Sequence, residues 1–201
     1  MSKLKQTIYR GSVAIGVMAL AAVPLYPVSA QSATEDTTIN ASVDSTITIT
    51  TSGSVNIALM PGSSPVVSSA SDTVTVNTNA TTGYQLTLAN VDASTNLVSG
   101  GSDIIVAHSG TPGAPTALAD NTWGFAIAGS PFDTSYSAET NNDSSTSLWA
   151  GVPASGTPAT LKTTSSPASN DVTTVWYGVR VNASQPNGSY TDTVRYTATV
   201  N

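Results

Sequence analysis

The amino-acid sequence predicts an all-β protein, an antiparallel β-sandwich of about eight to ten strands. Three observations predict it. Apolar residues recur at every second position, in short runs rich in Val, Ile, Thr and Tyr. Turn-forming clusters separate these runs: "PGSSP", "NATTG", "GTPGAP", "NNDSS" and "SQPNGS". Beyond the first thirty residues, no long stretch shows the 3.6-residue apolar period of a helix. Alternation between turn clusters is the pattern of a sandwich of immunoglobulin-like or jelly-roll-like type.

Residues 1–30 read as a secretory signal peptide. Lys3, Lys5 and Arg10 form a positive start, residues 11–25 an apolar run, and "PVSA" at 27–30 a small-residue end with Val28 and Ala30 at the recognised positions. Pro24 and Pro27 interrupt the run, which is short for a bilayer span, so cleavage is expected in preference to an uncleaved anchor. Residues 31–36 are expected to be a disordered mature N-terminus, and residues 37–201 a single sandwich domain. Removing the leader leaves Lys162, Arg180 and Arg195 against 12 acidic residues, a net charge of about −9. Such a surface disfavours nucleic acid, which needs a basic one, and also anionic membrane surfaces. No membrane insertion is expected after cleavage. The chain has no cysteine, so core packing rather than disulfides must hold the fold.

The strands follow in order. Ile39, Ala41, Val43, Ile47 and Ile49 share one parity, and residues 37–50 are expected to form a long first strand. Val55, Ile57 and Leu59 form the next set, then Val74 with Val76, then Tyr84, Leu86 and Leu88. Residues 99–120 are weakly patterned: "DIIVAH" offers a short edge strand and "SGTPGAPTAL" a loop. Trp123, Phe125 and Ile127 alternate, with Trp123 expected in the core, and residues 129–147 read as a long surface loop. Val175, Tyr177, Val179 and Val181 form a late strand. Tyr190, Val194, Tyr196, Ala198 and Val200 form the closing one. These two are expected to pair as a hairpin through "ASQPNG". One register sets Val181 opposite Tyr190, Tyr177 opposite Val194 and Trp176 opposite Arg195, with Arg180 close by. The outer face would then carry either a cation–π pair covering the sheet or a platform for a ligand. Trp176, Arg180 and Arg195, together with Trp149, are therefore the candidate ligand-facing residues.

Catalytic chemistry is sparse. The one histidine is His108, no G-x-S-x-G elbow occurs, and Glu35 and Glu139 are the only glutamates. A zinc site of ordinary type cannot be assembled, and no enzyme is expected. No cofactor is predicted. Calcium is the one ion the composition suits, through Asp133, Glu139, Asn141, Asn142 and Asp143 in one loop, although their spacing matches no EF-hand.

The succession "SDTVTVNTNATTGYQLTLAN", "NTWGFAI", "TPATLKTT" and "VTTVWYGVRVNASQPNGSYTDTVRYTATV" resembles the WxL-type surface proteins of bacteria and related short, exported, Thr-rich β-domains. The similarity spans roughly residues 70–201. The closest counterparts of the family's Trp-x-Leu motif are Trp123-Gly124-Phe125 and Trp176-Tyr177-Gly178. The resemblance implies a β-rich domain attached noncovalently to the cell wall through peptidoglycan, which would account for a chain closing on a strand without an anchor. The ending "NGSYTDTV" also resembles spore-coat and pilin-like subunits. The expected function is that of a non-enzymatic, exported structural or adhesion protein of the cell surface, with cell-wall glycan or other surface proteins as partners. One alternative is a filament or matrix subunit that self-associates by exchanging the strand "TTINASVDSTITIT". Another is a carbohydrate-binding module using Trp149 or Trp176.

Overall fold

The computed structural model describes residues 31–100 and 102–201. The expected leader lies outside the described residues. The chain divides into two units, Met1–Ser42 and Val43–Asn201. Of the first, residues 31–42 are exposed and carry no regular secondary structure.

The second unit is all-β, with sheets packed against each other and no helix among the described residues. The large sheet runs β1 (Ile47–Thr50), β2 (Val66–Thr78), β10 (Ala168–Val181), β7 (Thr122–Ile127), β5 (Ile104–Ala107) and β4 (Leu97–Val98), in that spatial order. The facing sheet is β11 (Val194–Val200), β3 (Tyr84–Asn90) and β9 (Ala159–Thr163). A short pair, β6 (Thr116–Ala117) with β8 (Leu148–Trp149), completes the set. One pairing departs from the antiparallel expectation. β5 runs parallel to β7, Val106 beside Thr122 and Ala107 beside Trp123, because the chain loops out through residues 108–121 before returning.

The alternation places the core correctly. Tyr84, Leu86 and Leu88 of β3, Val74 and Val76 of β2, and Val175, Tyr177, Val179 and Val181 of β10 are all buried, as are Trp123 and Phe125 of β7. Each such aliphatic side chain contributes roughly 1.5–3 kcal/mol by leaving water. The hydroxyls on this inner side are satisfied locally. Tyr84 Oη donates to Asp171 Oδ2 at 2.8 Å, and Lys162 pairs with the other oxygen of the same carboxylate.

The expected β10–β11 hairpin is not formed. β10 lies between β2 and β7, while β11 pairs with β3 in the facing sheet, Tyr196 beside Leu88 and Arg195 beside Ala89. The connecting residues 182–193 cross from one sheet to the other instead of turning tightly. Both apolar rows do face inward, but they meet across the core. Tyr177 Oη and Tyr196 Oη sit 2.7 Å apart.

Two further expectations change. The long first strand contracts to β1, while Ile39 and Val43 remain exposed at 84% and 87%. Residues 129–147 are not a free surface loop. They fold back over the outer face of the large sheet and along the edge of β2. Val67 and Asn142 exchange N–H···O bonds of 2.8 Å, and Ser69 N–H donates to Glu139 O at 2.9 Å. The segment carries Tyr136, which packs edge to face on Trp149 of β8 at a centroid separation of 5.4 Å.

Trp149 fits there because Gly124 and Gly178, neighbours in register on β7 and β10, leave that face bare. A Cβ at Gly178 would stand 2.7 Å from the Trp149 ring. Gly178→Ala is therefore expected to destabilise the protein by about 1–3 kcal/mol. Urea unfolding followed by circular dichroism should show a lowered midpoint with an unchanged slope.

Candidate functional site: an unpaired sheet edge beside a cleft

β11 is an edge strand, and hydrogen bonding fixes which of its groups are spent. Val91 N–H donates to Thr193 O, and Asn201 N–H donates to Gly83 O. Residues 193, 195, 197, 199 and 201 thus face β3, and the N–H and C=O groups of Val194, Tyr196, Ala198 and Val200 point the opposite way. β1 comes alongside β11 without pairing with it. Beyond Thr50 a cleft of about 1270 Å³ opens between residues 51–61 and residues 185–196. Its floor is the inner face of the large sheet, with Trp123, Tyr177, Val179 and Val181.

The far wall of the cleft is also an unpaired backbone. Val55, Ile57 and Leu59 alternate half-buried against exposed neighbours, as the sequence pattern predicts of a strand. Yet residues 53–61 form no backbone–backbone hydrogen bond among the described residues. Met60 N–H is held instead by Asn141 Oδ1 at 2.7 Å. Two extended segments therefore face one another with main-chain groups unspent.

The polar chemistry of the cleft is a hydroxyl pair beside a carboxylate. Asp72, on the inward row of β2 and 6% exposed, accepts Ser52 N–H at 2.9 Å through Oδ1. Burial, with the Tyr177 hydroxyl and the Asp72 carboxylate nearby, pushes the Tyr196 phenol far above its ordinary value. Burial raises Tyr177 as well. Both therefore act as neutral donors and acceptors at physiological pH, and neither is poised as a base.

The four candidate ligand-facing residues are not brought together. Trp149 is 1% exposed and belongs to the core over Gly178. Trp176, opposite Ala126 and Ser71 in register, stacks on Tyr136 at 6.5 Å. Arg180 Nε donates to Asp120 Oδ1 at 2.7 Å. Arg195 lies on the other sheet, exposed and with no ion-pair partner among the described residues. The platform fails because its register required a hairpin that the crossover replaces.

The loop weighed for calcium uses its oxygens internally. Glu139 accepts hydrogen bonds from Asn142, Ser145 and Ser147, and Asp133 Oδ2 accepts Leu148 N–H at 2.8 Å. Asp143 is exposed. No three metal-ligating His, Asp or Glu side chains converge among the described residues. His108 is also occupied structurally. It is 6% exposed, its Nε2 lies 2.8 Å from Thr116 Oγ1, and Ala119 N–H approaches Nδ1 at 3.4 Å.

Sequence reasoning missed the Tyr177–Tyr196–Asp72 group. Its one signal was a tyrosine on each of two otherwise aliphatic inward rows, since a buried phenol needs a partner. Comparison of the chain with protein-family models, with curated proteins and with solved structures found no match.

Two outcomes follow for solution measurements. Burial holds the His108 imidazole below its ordinary value of 6.5, partly offset by its hydrogen bond with Thr116. The unfolded chain then binds a proton that the folded chain refuses, so stability falls as pH drops below about 6.5. His108→Gln should flatten that slope between pH 7 and 5 in urea titrations. A double-mutant cycle of Tyr177→Phe and Tyr196→Phe should give a coupling of about 1 kcal/mol. Additive effects would show that the two hydroxyls do not interact.

Proposed function

We propose that this protein is a non-enzymatic, exported structural protein of the bacterial cell surface, held noncovalently in the envelope, and that the β11 edge with its cleft is the surface by which it is held. One observation carries the reading: among the described residues, the unpaired main-chain row of β11 faces a cleft whose opposite wall is unpaired as well. Main-chain groups of that kind recognise another polypeptide in extended form, with alternate side chains filling the space between the sheets. Other surface proteins are therefore favoured as partners over wall glycan. The leader-like residues 1–30 and the resemblance to WxL-type proteins support export and envelope association. The carbohydrate-binding alternative loses its motive, because Trp149 is buried and Trp176 is covered by Tyr136.

Fractionation of producing cells tests the reading. The protein should sediment with the envelope, resist high-salt washing and leave in urea, since the contacts are main-chain and apolar rather than ionic. Val194→Pro removes an N–H that the β3 ladder does not use, as an edge strand permits, and should release the protein into the medium. A wild-type protein found wholly in the medium overturns the envelope assignment. A Val194→Pro protein that stays bound moves the attachment surface away from β11.

A further inference from the structure

The cleft is bordered by main chain that no ladder uses, and this chain carries an alternating segment of strand pattern. Ile39, Ala41 and Val43 stand on one parity with Thr38, Asn40 and Ser42 on the other. Ile39 and Val43 are exposed at 84% and 87%, and among the described residues no strand forms before Ile47. An alternating segment with its apolar row in water is an unfinished strand. From Ile39 to Val43 it spans about 13 Å, the same as the stretch from Asp192 to Tyr196 that borders the cleft.

We infer that residues 38–44 of a second copy of this chain insert into the cleft as an added strand, pairing with the unspent edge of β11. Parity orients the insert. With Ile39, Ala41 and Val43 directed at the floor formed by Trp123, Tyr177 and Val179, the outward row carries Asp44, and Asp36 precedes the insert on the same parity. β11 presents Arg195 on its own outward row, the one mature cation without an ion-pair partner among the described residues. Acid and base thus meet on the same face.

The occupant comes from another molecule because the chain is clamped where it enters its own sandwich. Thr46 N–H donates to Asn79 Oδ1 at 2.7 Å, and Asn79 Nδ2 donates to Asp44 O at 3.0 Å. β1 begins at Ile47 and lies alongside β11. Residues 44–46 are thus tied down at the entry to β1. Donor and acceptor surfaces differ, so the association is head-to-tail and propagates along a row of copies.

The inference rests on the reading of the β11 edge as the working surface, and the two fail separately. Sedimentation of the purified protein over a concentration series should show growing oligomers. Ile39→Asp with Val43→Asp alters only exposed side chains and should weaken self-association about tenfold or more while leaving the fold intact by circular dichroism. That variant keeps its cleft, so a labelled peptide of residues 36–46 should bind it. The same peptide carrying both aspartates should bind about tenfold more weakly or not at all. A wild-type protein that stays monomeric at millimolar concentration overturns the inference, as does self-association unchanged in the double variant. If the wild type is monomeric yet remains in the envelope fraction, the second copy is wrong and the envelope reading survives. If it assembles in solution yet is absent from the envelope fraction, the envelope reading falls and the strand insertion stands.

Discussion

The packing of both faces of β10 is the constraint on which the rest depends. This fourteen-residue strand runs through the large sheet with β2 on one side and β7 on the other. Its odd residues Val175, Tyr177, Val179 and Val181 need a facing sheet, which β3 and β11 provide. Its even side is interrupted by Gly178, and the opening accepts the Trp149 indole, which Tyr136 meets edge to face at an interplanar angle of 61°. A central strand wanting cover on two sides forces a third layer out of a connection that belongs to neither sheet.

That layer explains the behaviour of residues 129–147. Their backbone groups at Glu139 and Asn142 close the first half of the β2 edge, where β1 does not reach, because β1 pairs only with residues 75–78. The acidic side chains then have an internal task. Glu139 gathers three donors and Asp133 holds the return at Leu148. A composition rich in Asp, Asn and Ser signals solubility, cation binding or tight local turns equally well, and only the fold distinguishes them.

What was legible in the sequence was face, and what was hidden was neighbour. Period-two alternation states which side chains go inward, and it did so for β2, β3, β7, β10 and β11. It is silent on which strand lies beside which, so a connection of turn-forming residues before β11 read as a hairpin although it passes from one sheet to the other. The same limit hid the cleft. Val55, Ile57 and Leu59 carry the alternation of a strand and half the burial of one, yet lack a ladder partner. The Trp149 position was obscure because its socket is made by Gly124 and Gly178, two residues with no side chain to announce it. The electrostatic pairs were equally unreadable. Lys162 with Asp171 lies within one sheet-spanning contact, while Arg180 finds Asp120 across the β7–β10 neighbourhood.

The loop over Gly178 has a consequence for how such a chain can vary in length. Long connections ordinarily accept inserted residues, because their backbone faces solvent. Residues 129–147 do not have that freedom. Their two ends are tied by Asp133 to Leu148, their middle is threaded onto β2, and Tyr136 packs on Trp149, which is seated over a fixed pair of glycines. An insertion there would shift three contacts at once. The turn around Gly62 is different: it is exposed, and a side chain added at that glycine would meet no neighbour within 4 Å. The stretch that looks most dispensable by composition is thus the less extensible of the two, and length changes between related chains should collect at residues 61–64.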